Sequence, residues 1–211
     1  YFESRLVSNI RKTLKGLRKA EVVKSQGRVY VEPADDDFDF DTALKRLTKV
    51  TGIVSISPVI KIDSDFESIR RHSLEMVRDL VERMQYTTFK VETKRGLKSF
   101  GMDSPQISRE LGAYILDNIP ALKVDVHNPS FILYVEVREN TYIYSEILPA
   151  VGGLPVGTNG KAMLLLSGGI DSPVAGWMMC KRGLLIDAVH FFSYPYTSER
   201  AKEKVIELAK I

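Results

Sequence analysis

The sequence predicts an α/β protein in three blocks, the last of which opens a doubly wound parallel sheet. Three observations carry this. The apolar run Met163-Leu164-Leu165-Leu166 enters Ser167-Gly168-Gly169-Ile170-Asp171-Ser172, and a helix-compatible stretch, residues 173–180, leaves it. Two earlier blocks mix helix-spaced and strand-spaced apolar residues. Residues 149–160, with four Gly, two Pro and no period, separate them from the third block and read as a linker.

In the first block, residues 1–62, Phe2, Leu6, Ile10 and Leu14 recur at four-residue spacing and predict a helix. A strand at 28–32, a helix at 42–49 and a β-branched run at 53–62 follow. Helix, strand, helix, strand in this order predicts a ferredoxin-like unit lacking its opening strand, so the chain is expected to begin inside a domain. The second block, residues 63–148, opens with a helix carrying Ile69, Met76, Val77, Leu80 and Met84, for which Ser64 and Glu67 spell a capping box. Thr87–Arg95 alternates as a half-buried strand. Ser104-Pro105 begins a helix with Ile107, Leu111 and Ile115 inward, which must end before Pro120. Strands at 122–126, 131–138 and 141–147 complete the block, which predicts one sheet with helices on one face. The third block, residues 161–211, reads strand, loop, helix, strand at 184–191 and helix at 198–211. That is a βαβα start, too short to close a doubly wound fold, so the chain is expected to be part of a longer protein.

Composition narrows the class. With 44% apolar and 27% charged residues, the chain has the make-up of a globular protein, and no apolar run approaches the ~20 residues of a membrane span. A lone cysteine, Cys180, excludes an internal disulfide and fits a reducing cytoplasm. One Cys and three separated His give no zinc spacing. The net charge of +3 hides an asymmetry: residues 1–28 hold eight Lys/Arg against two acids, and residues 32–41 hold six acids and no base. This fits either a polyanionic partner or a solvated amphipathic helix.

The loop is the chemical signal. A strand that delivers a Gly-Gly turn to a helix N-terminus points backbone N–H groups at one spot, backed by the helix dipole, and so favours a phosphate. Ser167 and Ser172 can add hydroxyl donors, and Asp171 can hold a Mg²⁺ that bridges phosphate oxygens. The loop lacks the Gly-Lys-Ser/Thr ending of a Walker A loop, which argues against cleavage of a γ-phosphate. It resembles instead the Ser-Gly-Gly-x-Asp-Ser loop of the ATP pyrophosphatase (PP-loop) superfamily, whose members transfer AMP to a substrate oxygen.

Further segments make the resemblance specific. Gly152-Gly153-Leu154-Pro155-Val156-Gly157 precedes the loop. Ala188-Val189-His190-Phe191 and Thr197-Ser198-Glu199-Arg200-Ala201-Lys202 follow it. The second block, with Phe89-Lys90-Val91, Lys94-Arg95, Val124-Asp125-Val126-His127-Asn128-Pro129 and Val135-Glu136-Val137-Arg138, resembles a THUMP domain. The whole arrangement is similar to the tRNA 4-thiouridine synthase (tRNA sulfurtransferase) family. The resemblance implies ATP-dependent replacement of the C4 oxygen of the uridine at tRNA position 8 by sulfur, through an adenylated uridine and a persulfide donor supplied by a cysteine desulfurase. It places ATP against Leu165 and Leu166, pyrophosphate on Ser167, Gly168, Gly169, Ile170, Asp171 and Ser172, a metal on Asp171, and the adenosine part on His190 and Phe191. His190 could equally be a packed strand-end residue, and Leu165 and Leu166 ordinary core. The family's catalytic cysteine is expected beyond Ile211, and the rhodanese-like extension of some members is not within these residues, so the fragment itself should not thiolate. Some relatives also donate sulfur to the thiamine thiazole, and family members often dimerise.

The same resemblance implies that the THUMP and N-terminal blocks grip the 3′ acceptor end of tRNA. Lys90, Lys94, Arg95, Lys98 and Arg109 supply cations around one strand and the next helix, with Phe100 as a stacking ring; the alternative is a solvated charged face with Phe100 simply packed. The rival functions are another tRNA-modifying adenylating enzyme of the PP-loop kind and an RNA-binding module with a vestigial loop.

Overall fold

The computed structural model describes residues 1–25, 27–193 and 195–210. The first elements are α1 (Phe2–Thr13), β1 (Ala20–Ser25), β2 (Arg28–Pro33), α2 (Phe40–Leu47) and β3 (Ser55–Ile56). Strands β1 and β2 pair antiparallel, with Val22 opposite Val31. Strand β1 is absent from the sequence expectation, because only Ala20, Val22 and Val23 are apolar within a charged stretch. Helix α1 buries Ile10 and, just past its end, Leu14. They join Val22, Phe38, Ala43, Leu47 and Val50 in one small core. The α2 N-cap is Asp39, whose carboxylate accepts from Thr42 N–H at 2.9 Å.

Residues 57–147 form a compact unit of their own. It contains β4 (Ile60–Asp63), α3 (Phe66–Met84), β5 (Thr88–Arg95), α4 (Ser104–Asn118), β6 (Lys123–Val124), β7 (Phe131–Val137) and β8 (Asn140–Tyr144). The strands make one sheet in the order β4-β8-β7-β5-β6, with β5 parallel to β7 and β6, and β8 antiparallel to both its neighbours. Alternation puts Phe89, Phe131, Leu133, Val135, Val137 and Ile143 on one face. Ile69 and Val77 of α3 and Ile107, Leu111 and Ile115 of α4 seal that face, each fully buried. At about 1.5–3 kcal/mol per buried side chain, this is the principal core of the unit. The cap of α3 corrects the sequence expectation: Asp65, not Ser64, accepts from Ser68 N–H at 2.8 Å. Ser64 instead donates to the Arg138 carbonyl at 2.9 Å. Helix α4 carries a capping box between Asp103 and Gln106, with Pro105 in its first turn.

Residues from 148 onward return to the first unit. They form β9 (Leu148–Pro149), β10 (Lys161–Leu165), α5 (Asp171–Lys181), β11 (Leu185–Val189) and α6 (Glu199–Lys210). Strand β9 pairs antiparallel with β3, and β10 pairs parallel with β11, Lys161 opposite Leu185 and Leu165 opposite Val189. Ile211, the end of the expected last helix, lies outside the described residues. No helix of the described chain is long and apolar enough to cross a membrane.

The expected linker, residues 149–160, is an ordered strap. One edge is held by the N-terminal elements: Gly52 N–H donates to Gly152 O at 2.8 Å, Gly152 N–H to Ile53 O at 2.8 Å, and Asn9 Nδ2 to Val156 O at 3.1 Å. The other edge grips the end of α5: Leu154 N–H donates to Lys181 O at 2.8 Å, and the N–H groups of Gly157, Thr158 and Asn159 converge on Gly183 O. Its order comes from long-range hydrogen bonds, which a sequence without periodicity does not display.

Candidate nucleotide-binding site

The Ser167–Ser172 loop sits at the carboxyl end of β10 and opens α5, the position where open α/β sheets bind ligands. Its two hydroxyls are turned on each other at 3.0 Å. Ser172 Oγ accepts from Ser167 N–H at 2.9 Å, and Ser167 Oγ accepts from Gly169 N–H at 3.3 Å. The serines therefore close the loop on itself, a role in shape that the sequence reading, which offered them as phosphate donors, did not separate from binding. Helix α5 starts at Ile170 without a side-chain cap, whereas Asp39, Asp65 and Asp103 cap α2, α3 and α4. The first-turn N–H groups of α5 are left to whatever approaches the loop.

Asp171 is exposed in that first turn, where the helix dipole favours negative charge. Ile170 is 79% exposed at the loop tip. Leu166 is buried and Leu165 is exposed. Leu166 N–H donates to Val189 O at 2.9 Å, extending the parallel ladder one step into the loop. The Leu166 carbonyl accepts from His190 Nδ1 at 2.9 Å, which fixes the Nδ1–H tautomer in the neutral ring. His190 Nε2 is then a buried acceptor without a partner among the described residues. An orphaned buried acceptor beside a phosphate-type loop fits a ligand with an N–H or O–H donor. Phe191, at the strand end, is 77% exposed. The structure thus gathers Leu165, Leu166, the loop, His190 and Phe191 at one end of the β10–β11 pair.

A contact absent from the sequence reading comes from α6. Val205 is buried, and a Cβ built on Gly168 would lie 3.7 Å from Val205 Cγ2 and 4.0 Å from Lys204 Cδ. The signal that could have found it is helical spacing: Ala201, Lys204, Val205 and Leu208 share one face of α6.

No group of three or more His, Cys, Asp or Glu able to hold a metal occurs among the described residues. One exposed carboxylate fits a Mg²⁺ that takes its remaining ligands from phosphate oxygens and water. Cys180, inside α5, is half-buried, and desolvation raises its thiol pKa, which disfavours a thiolate nucleophile.

The expected RNA-facing residues lie in residues 57–147 and divide between the two faces of β5. Lys90 and Lys94 stand on the face opposite the helices, Lys90 paired with Glu92 at 2.6 Å and Lys94 exposed. Glu136, on that same face of β7, is buried and accepts from Tyr144 OH at 3.0 Å and Arg138 Nη2 at 3.2 Å. Arg95 points the other way, its Nη1 donating to the carbonyls of Phe100 and Met102 at 3.3 and 3.4 Å, so it holds the loop after β5. Phe100 packs half-buried against the core rather than standing free. Lys98 and Arg109 are exposed.

Family models match nearly the whole chain in series. The ThiI ferredoxin-like domain matches residues 1–57, the THUMP domain residues 63–146, and the model described as thiamine biosynthesis protein (ThiI) residues 157–211. A solved protein from Pyrococcus horikoshii, PH1313, superposes with a TM-score of 0.88 at 31% identity, over 99% of this chain and 69% of that one. The chain belongs to the ThiI family. Among ThiI-family relatives, a probable tRNA sulfurtransferase of Acetivibrio thermocellus is 68% identical over all of this chain and 54% of its own length. One of Alkaliphilus metalliredigens is 50% identical, over 53% of its length. The chain therefore spans about half the length of these curated relatives. A crystal structure of a 4-thiouridine synthetase–RNA complex with bound ATP matches 98% of the chain and 52% of its own, at 45% identity and a TM-score of 0.86.

Proposed function

We propose that this chain is the RNA-gripping and ATP-binding part of a tRNA sulfurtransferase that forms 4-thiouridine at tRNA position 8. The observation that carries the reading is the uncapped α5 N-terminus behind a self-closed Ser-Gly-Gly-x-Asp-Ser loop at the end of a parallel strand. Its support from comparison is the ATP and RNA bound by the 45%-identical synthetase. In this reading the backbone of residues 167–172 takes the β,γ-phosphates and Asp171 shares a Mg²⁺ with them. The adenosine lies against Leu165, Leu166, His190 and Phe191.

The chemistry follows from leaving groups. The uridine C4 oxygen is a poor one. Its attack on the α-phosphorus of ATP expels pyrophosphate and leaves an O-adenylated base. A persulfide sulfur then bonds to C4, and the C4–O bond breaks with loss of AMP. A second thiol attacks the inner persulfide sulfur, the S–S bond to the base sulfur breaks, 4-thiouridine leaves and a disulfide remains for an external thiol to reduce. This chain's part is to hold the pyrophosphate and aim the α-phosphorus. The attacking cysteine is assigned outside these residues, since Cys180 is partly desolvated within a helix. The tRNA acceptor end is assigned to the N-terminal and THUMP blocks, residues 1–62 and 63–148, the sulfur supply to a cysteine desulfurase, and the compartment to the cytoplasm; a homodimer is compatible with this reading.

The test uses the full-length protein with unmodified tRNA, Mg·ATP, cysteine and a desulfurase, read on a mercury-containing gel that retards thiolated RNA. An ATP-dependent shift is expected. Asp171→Ala should abolish it and weaken Mg·ATP binding about 10- to 100-fold, the worth of a charge-assisted contact. Unchanged ATP binding in that variant, or no shift although tRNA and ATP bind, would overturn the assignment.

A further inference from the structure

The loop carries no cation of its own. Residues 167–172 contain one formal charge, the negative Asp171. The nearest downstream cation, Lys181, ends α5, about 15 Å along the helix axis, and its ammonium lies 4.8 Å from the Trp177 ring centroid. A triphosphate outweighs the charge of one divalent ion, and in a Walker A loop a lysine within the motif supplies the difference.

Here α6 lies against the loop. Buried Val205 anchors it beside Gly168, and the neighbouring Lys204 runs its aliphatic chain along the same glycine, with Cδ 4.0 Å from where a Cβ would stand. The ε-ammonium lies two bonds beyond Cδ, within reach of the loop mouth. Lys202 is engaged elsewhere: its ammonium sits 5.1 Å from the Phe192 ring centroid and 3.4 Å from Glu199 Oε2. We propose that Lys204 is a phosphate-neutralising cation of this site, supplied from α6 rather than from the loop. The proposal rests on the reading of residues 167–172 as a pyrophosphate cradle.

The experiment measures binding of Mg·ATP, inorganic pyrophosphate and AMP to the full-length protein by calorimetry, for wild type, Lys204→Met, Lys204→Arg, Lys210→Met and Asp171→Ala. Lys204→Met should weaken ATP and pyrophosphate about 10- to 100-fold and leave AMP within about twofold. Lys204→Arg should restore most of the loss, and Lys210→Met, the same charge change at the far end of α6, should change neither. Unaltered ATP and pyrophosphate binding in Lys204→Met, with loss in Asp171→Ala, would overturn the role of Lys204 and leave the cradle standing. An equal loss of AMP would mean that α6 had shifted, and would overturn it too. Failure of the wild type to bind either phosphate ligand would remove the cradle and this proposal together.

Discussion

Gly153→Ala should loosen α5 from the end opposite the Ser167–Ser172 loop. A Cβ at Gly153 would stand 2.3 Å from the Lys181 carbonyl oxygen, 3.1 Å from its carbon and 3.2 Å from its Cα. These are backbone atoms, so no rotamer change relieves the clash. Gly153 also has φ +81°, where an L side chain costs roughly 1–2 kcal/mol. Displacing the packed strap adds about 1–3 kcal/mol. The sum is about 2–5 kcal/mol. Gly160→Ala separates the two causes: its φ is +83° but nothing lies within 4 Å of its Cβ, so only the first cost applies. The assay is built in, because the single tryptophan, Trp177, lies on α5, the helix whose last carbonyl is struck. At roughly 2–4 °C per kcal/mol, the Trp177 fluorescence melt should fall about 4–20 °C in Gly153→Ala and clearly less in Gly160→Ala. Equal shifts in the two variants would refute the contact between the strap and Lys181.

Two further outcomes test the unit of residues 57–147. Replacing Lys94, Lys98 and Arg109 together by Ala should lower the slope of log affinity for tRNA against log salt by about 2, at roughly 0.7–0.9 per phosphate contact, and an unchanged slope in a salt titration would remove them from the RNA surface. Asp65 caps α3, and hydrogen bonds from Ser68, its hydroxyl first and then its N–H, hold the carboxyl below its ordinary range. Its share of stability is complete above about pH 4 and fades as pH falls through the lowered value, so Asp65→Asn should flatten the acid limb of a circular-dichroism titration of this unit.

What was legible in the sequence is what local chemistry decides. The βα transition at Ser167–Ser172 is readable because the serines that close the loop both stand within its six residues. The inward faces of α3 and α4 followed from spacing alone. Ser64 and Asp65 are both good caps, and only the pairing of Ser64 with Arg138, 74 residues away, decides between them. Arg95 and Lys94 are neighbours in sequence, yet the period of a strand sends neighbours to opposite faces. The strap at 149–160 is unreadable for a different reason, since the hydrogen bonds that hold its two edges, to Gly52, Ile53, Lys181 and Gly183, end far away in sequence.

The two loop glycines bring these strands of reasoning together. Eight glycines of the described chain have positive φ, but Gly168 and Gly169 are not among them, so backbone freedom does not explain their presence. Nor does crowding, because a Cβ at either would meet no protein atom closer than 3.5 Å. The polypeptide alone would accept alanine at both positions. A Cβ at Gly168 would stand on the side of α6, 3.7 Å from Val205 Cγ2 and 4.0 Å from Lys204 Cδ, and one at Gly169 would stand 3.5 Å from Ser167 Oγ. On the proposed reading, bare backbone at both positions lets phosphate oxygens come close to the loop. The serines close the loop and His190 holds the Leu166 carbonyl, so both answer to the local shape. The glycines, on the proposed reading, answer to the ligand.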